Sequence, residues 1–143
     1  MTVQAILSSK GSSVTTIEPT ANVAAAVKLL TERHIGAAVV TGAGKRVIGI
    51  VSERDIVRAL GSHGLAALEL PLTEVMTRRV ETCLASDTVS SIMERMTAGK
   101  FRHVPVVEED RLAGIISIGD VVKRRVEELE HDGEALQDYI RTA

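Results

Sequence analysis

Gly49-Ile50-Val51-Ser52-Glu53-Arg54-Asp55 and Gly114-Ile115-Ile116-Ser117-Ile118-Gly119-Asp120 are one pattern written twice. Each reads as the end of an apolar strand, a serine, and an aspartate three residues on at the start of a helix. Serine at an N-cap with an acid three positions later approaches a capping box, and the acid suits the positive helix end. The same groups have a second use. A hydroxyl, a carboxylate and free backbone N–H groups at a helix N-terminus can hold a ribose and a phosphate. One copy alone favours capping; the repetition gives the second use weight.

The duplication extends outward from these segments. Val14-Thr15-Thr16-Ile17 aligns with Val80-Glu81-Thr82-Cys83 at an offset of 80 − 14 = 66. Val23 with Val89 and Val40 with Val106 keep that offset, while Gly49 and Gly114 differ by 114 − 49 = 65. One residue is therefore lost in the intervening loop, and the repeat covers about 14–60 and 80–126. Two copies are too few for a solenoid, so they are expected to pack on each other as a pseudo-twofold pair.

Patterning within the copies predicts strand, helix, strand, strand, helix. In the first, Val14 to Ile17 is a short strand, Asn22 caps a helix from Val23 to about His34, and Gly36 closes it. Ala37 to Thr41 is a buried strand; Gly42-Ala43-Gly44 turns the chain into Arg46 to Val51. Ser52 caps a helix to about Leu60. Gly61 to Pro71 is a connector. The second copy predicts a strand at Val80 to Thr82 and a helix from Thr88 to about Ala98, capped by Asp87 or Ser86. Strands follow at His103 to Val107 and Leu112 to Ile116. A last helix starts at Ile118 and ends at Gly133, before an amphipathic tail at Glu134 to Arg141. Val3 to Leu7 and Leu72 to Met76 carry apolar residues at helical spacing, a lead-in before each copy; Ser8 to Ser13 reads as a loop. The division expected is 1–68 for the first repeat with its lead-in helix, 69–130 for the second, and 131–143 for the tail.

Composition narrows the function. The 143 residues contain no Trp, one Phe (Phe101) and one Tyr (Tyr139), so there is no aromatic platform for single-stranded nucleic acid. The formal net charge of −2 argues against an overall electrostatic footprint for DNA or RNA. A lone cysteine, Cys83, excludes an internal disulfide and a Cys-rich metal site. No apolar run approaches the roughly 18 residues of a membrane span, and the N-terminus carries no signal-peptide pattern. A soluble, cytoplasmic protein is expected.

Enzymatic motifs fail on inspection. Gly42-Ala43-Gly44-Lys45 resembles part of a P-loop, yet Val39 stands where the earlier glycine belongs and Arg46 where Ser or Thr should bind Mg²⁺. Val47 breaks the dinucleotide fingerprint, and that run joins two strands. No serine lies in a nucleophile elbow. His34, His63, His103 and His131 show no metal-ligand spacing. No catalytic residue and no metal site are expected. Arg102-His103 is different. It stands between a helix and the strand Val104-Pro105-Val106-Val107, where it reads either as a helix C-terminal charge with a strand-entry residue or, favoured by Ser117 and Asp120 in the same repeat, as a phosphate clamp of a planar donor fork beside an imidazole.

The Gly-x-x-Ser-x-x-Asp segments, the Arg-His-Val-Pro-Val-Val run at 102–107 and the Val-Met-Thr run at 75–77 together resemble a CBS-domain pair, the regulatory module named after cystathionine β-synthase. The resemblance covers about 3–130. It implies an α/β (α+β) fold of two βαββα repeats, with clefts between them that bind AMP, ADP, ATP, NAD(H) or S-adenosylmethionine, AMP foremost. It implies regulation of a separate partner protein rather than chemistry. By the same resemblance Asp55 and Asp120 hold ribose, Ser52 and Ser117 lie near phosphate, Arg102 and His103 reach phosphate, and backbone at Thr16 and Thr82 reads adenine. The first copy departs from this pattern, having Gly36 and Ala37 where the second has Arg102 and His103. Arg54, whose counterpart is Gly119, is the candidate to compensate. The second repeat is thus expected to be the main site and the two sites to be unequal.

The resemblance also implies a homodimer; Ile56, Val57 and Leu60 on one helix and Val121, Val122 and Val126 on another support it by exceeding what one core-facing stripe needs, the alternative being a wide core stripe that absorbs them all. The competing expectation is a ligand-free dimerisation and interaction module whose motif serves only as helix capping.

Overall fold

A computed structural model describes residues 1–142. Ten named elements follow in order: α1 (Val3–Lys10), β1 (Thr16–Ile17), α2 (Val23–Arg33), β2 (Ala37–Thr41), β3 (Val47–Ser52), α3 (Glu53–His63), α4 (Val89–Gly99), β4 (His103–Glu108), β5 (Arg111–Ser117) and α5 (Ile118–Thr142). The first sheet has order β1-β2-β3, parallel between β1 and β2 and antiparallel between β2 and β3. The second pairs β4 with β5 antiparallel, with His103 opposite Ser117.

Local chemistry explains the helix ends. Asn22 accepts the Ala25 N–H at 2.9 Å, as the sequence predicts. Thr88, not Asp87 or Ser86, caps α4, its hydroxyl accepting from Ser91 N–H at 3.1 Å. Asp87 instead accepts from Leu84 N–H in the preceding turn. Neither α2 nor α4 needs a glycine to stop: His34 and Lys100 take the left-handed conformation, with φ of 54° and 56°. Gly36 therefore lies beyond the true end of α2.

Four other expectations need correction. The strand expected at Val80 to Thr82 is reduced to one parallel bridge, Cys83 with Val106, because only Cys83 N–H and C=O reach β4. The loop expected at Ser8 begins later, since Ser8, Ser9 and Lys10 continue α1. The connector after α3 is helical in part, forming a 3₁₀ segment at Gly64–Glu69. Gly133 does not end α5, which continues to Thr142. An interior glycine costs a helix only about 1 kcal/mol.

Two buried clusters hold the fold together, and the lead-ins cross between them. The first-repeat core of Val23, Leu30, Val40, Val51 and Ile56 includes Leu72 and Met76 from the segment before the second repeat. The second-repeat core of Ile92, Met96, Val104, Val106, Ile116 and Val121 includes Val3, Ile6 and Leu7 of α1. The helix expected to accompany the first repeat thus packs into the second. Each such side chain contributes about 1.5–3 kcal/mol through burial. The expected apolar surplus divides. Ile56 and Val121 are buried and Leu60 is half-buried, whereas Val57, Val122 and Val126 are exposed.

Candidate functional site

The motif glycines permit close approach. A Cβ on Gly49 would lie 2.6 Å from Met76 Sδ and 3.0 Å from the Thr77 carbonyl oxygen. Without one, Thr77 and Ile50 exchange backbone hydrogen bonds of 2.9 and 3.0 Å. That pairing brings the Thr77 hydroxyl to Asp55, where it donates to Oδ1 at 3.0 Å. Asp55 Oδ2 accepts from Ser52 N–H at 2.9 Å and from Ser52 Oγ at 3.1 Å. The reciprocal bond, Asp55 N–H to Ser52 Oγ, completes a capping box. Asp55 is only 6 % exposed, the one charged residue in the buried set among the described residues. Its Oδ1 has a lone pair left for another donor.

Asp55 and Ser52 line a cleft of about 350 Å³ between the two repeats. From α3 it receives Arg54 and Arg58, from the connecting segment Thr77 and Arg79, and from the second repeat Lys100, Arg102 and His103. Five permanent cations (Arg54, Arg58, Arg79, Lys100, Arg102) face three carboxylates (Glu53, Asp55, Glu81), an excess of 5 − 3 = 2 positive charges. Arg54 Nη1 donates to the Lys100 carbonyl at 3.3 Å and so spans the cleft from one repeat to the other. Burial pushes the His103 imidazole below its ordinary pKa of 6.5, and the Lys10 ammonium adds to this; Asp120 and Glu53 oppose it.

The second motif is spoken for. Ser117 N–H donates to Asp120 Oδ2 at 2.9 Å and Asp120 N–H to Ser117 Oγ at 3.2 Å, again a reciprocal cap. Lys10 Nζ then donates to Asp120 Oδ2 at 2.7 Å and to the Ile115 carbonyl at 2.9 Å. Burial alone would raise the Asp120 carboxyl, but the Lys10 and Ser117 donors outweigh it and hold the carboxyl below the usual range. The cavity beside Lys10 and Asp120 measures only about 50 Å³. Leu7 explains how Lys10 gets there. It packs on Gly114, whose Cβ would lie 2.8 Å from Leu7 Cδ2, and Lys10 follows one helical turn later.

The expected residues therefore separate. Ser52, Arg54, Asp55, Arg102 and His103 share one cleft. Ser117 and Asp120 face Lys10 instead. Thr16 lies on β1 and lines neither cavity, and the Thr82 carbonyl is already held by Arg95 Nη2 at 2.7 Å. Among the described residues no three His, Cys, Asp or Glu side chains gather as a metal-binding group. None of the helices is long and apolar enough to cross a membrane.

The profile of the CBS domain matches this chain twice, at residues 6–62 and 72–127. The chain belongs to the CBS-domain family. A crystal structure of a CBS-domain-containing protein from Agrobacterium tumefaciens superposes with a TM-score of 0.85 at 46 % identity, covering 87 % of this chain and 99 % of that one. A CBS-domain protein from Pyrobaculum aerophilum, solved in complex with AMP, gives 0.73 at 28 % identity over 84 % and 89 % of the two chains. The mitochondrial CBS-domain-containing protein CBSX3 of Arabidopsis thaliana is 32 % identical over 120 residues, 81 % of this chain; the chain spans 58 % of that relative's length.

Within this CBS pair, sequence reasoning missed several lining residues. Arg58 stands four residues after Arg54, hence on the same face of α3, and that spacing was a usable signal. Thr77 belongs to the Val-Met-Thr run at 75–77, but its role emerges only from the backbone pairing with Ile50. Lys10 has no sequence signal at all, since its partner is 110 residues away.

Proposed function

We propose that this CBS pair is a regulatory sensor that binds one adenine nucleotide in the cleft of Ser52 and Asp55 and controls a separate partner protein. The carrying observation is that a buried carboxylate, Asp55, sits in a cleft with two excess positive charges. Asp55 Oδ1 accepts a ribose hydroxyl while Arg54, Arg102 and His103 take the phosphate; charge-assisted bonds of this kind are the strong ones. The AMP complex of the Pyrobaculum relative supports this ligand class. The charge excess favours AMP, ADP, ATP or NAD(H) over the cationic sulfonium of S-adenosylmethionine. The module works in the cytoplasm as a homodimer and performs no chemistry of its own.

One observation favours a second reading, a ligand-free interaction module. Both capping boxes are complete without any ligand. Calorimetry with AMP, ATP, NADH and S-adenosylmethionine separates the two. Saturable heat with the anionic ligands, competing with one another, is the expected result. No heat from any of them leaves the interaction module standing.

A further inference from the structure

Helix α5 spans 25 residues, about 37 Å at 1.5 Å per residue. Its first two turns are anchored: Val121 is buried in the second-repeat core. From Leu129 to Arg141 every residue is exposed. A helix segment of this length is marginal in water on its own, since isolated helices shorter than about 12–15 residues seldom hold. Its exposed residues are nevertheless patterned. Val122, Val126, Leu129, Gly133, Leu136 and Ile140 follow one another in steps of four, three, four, three and four. That is an unbroken a/d heptad seam with one glycine notch. Its five apolar members are between 46 % and 65 % exposed.

We propose that α5 pairs with α5 of a second copy as a parallel two-stranded coiled coil. This rests on the dimer assumed above and assigns the surface that holds it. The seam identifies the occupant, because two identical helices present matching knobs and holes. The charges beside the seam choose the direction. With Val126 and Gly133 at a positions and Leu129 and Leu136 at d positions, Arg125 and Asp132 fall at g and Glu130 at e. In a parallel pair Arg125 of one helix meets Glu130 of the other, five residues on. In the antiparallel pair that aligns Val126 with Leu136, Glu130 faces Glu130 and Asp132 faces Asp132. Like charges so placed oppose association. Arg125 already holds Glu128 of its own helix at 3.2 Å, but a guanidinium has five donors and serves both.

Sedimentation of the full chain at tens of micromolar, with three variants, tests the proposal. The wild type sediments as a dimer, and Leu129→Glu weakens the dimer by at least about thirtyfold. Gly133→Leu fills the notch and tightens the dimer more than Gly133→Ala, which improves helix propensity alone. Leu136→Cys forms an interchain disulfide on mild oxidation, as only the parallel arrangement places Leu136 beside its own copy; Cys83 is buried and does not compete. A wild-type dimer that survives Leu129→Glu and gives no Leu136→Cys crosslink overturns the coil while leaving the dimer. A wild-type monomer overturns both.

Discussion

Lys10 Nζ lies 2.7 Å from Asp120 Oδ2, so the ammonium of the first helix occupies the carboxylate of the last motif. The pair is partly exposed, with side-chain exposures of 31 % and 23 %, and is worth up to about 1 kcal/mol after screening. Its larger effect is to set an ammonium beside Asp120 Oδ2, which also accepts the Ser117 N–H. We expect Lys10→Met to raise the Asp120 carboxyl pKa toward its ordinary value and to add a second, weaker equivalent in nucleotide titrations. The first change is read by NMR, the second by calorimetry. A stoichiometry that stays at one in the variant removes Lys10 as the block.

Asp55→Ala is expected to weaken nucleotide binding about ten- to a hundredfold, the loss of roughly 1.5–3 kcal/mol for a hydrogen bond to a charged acceptor. Asp120→Ala should change affinity less than about threefold, because its carboxylate is already engaged by Lys10. The reverse ranking would move the site to the second motif.

Acid should destabilise the fold through His103. Its folded pKa is lowered, so between that value and 6.5 the unfolded chain binds more protons and stability rises with pH. The contribution is whole above 6.5 and declines as the pH falls through the window. His103→Gln should flatten this part of a urea-midpoint profile. Nucleotide binding should work in the opposite sense. A phosphate beside the imidazole raises its pKa, so binding takes up a proton as the pH falls toward the His103 titration. Calorimetry in buffers of different ionisation enthalpy measures that uptake; none at all would place the phosphate away from His103.

Gly49→Ala should cost about 1–3 kcal/mol, since its methyl would meet Met76 and the Thr77 carbonyl. Gly61→Ala, on α3 with nothing within 4 Å, should instead stabilise by about 0.5–1 kcal/mol. Chemical denaturation compares the two, and equal effects would show that the close approach at Gly49 is not rigid.

Burial pushes the Cys83 thiol up to about 11, with Asp87 adding to it. The thiolate is the reactive form. Modification by a thiol reagent at pH 8 should therefore be slow in the native protein and fast in denaturant. Rapid native labelling would mean that the short Cys83 bridge to Val106 opens readily.

The duplication, most of the order of elements and the family were legible because a period of 65–66 residues and local capping chemistry are written in the chain; the second copy's first strand was not, being a single bridge at Cys83. Asn22 and Ser52 cap helices by reaching three residues ahead, a distance that sequence reveals. The membership of the cleft was less legible. Arg102 and His103 stand beside Ser117 along the chain's own hairpin, yet they line the same cleft as Ser52 and Asp55 of the first repeat. Which carboxylate lines the larger cleft was not legible at all. That depends on α1 crossing to the second repeat, and no local pattern records where a helix docks.

The docking of α1 has a consequence for synthesis. Val3 and Ile116 share one buried cluster across 116 − 3 = 113 residues of chain. At roughly 5–20 residues per second, the ribosome delivers β5 on the order of ten seconds after α1. During that interval Val3, Ile6 and Leu7 lack part of their native surface, which only Ile116 and Val121 complete. The first strands and helices can assemble early, but Leu72 and Met76 must emerge before the first core closes and β5 before the second. Folding of this chain is therefore completed by its later residues, and its first helix is among the last to find its place.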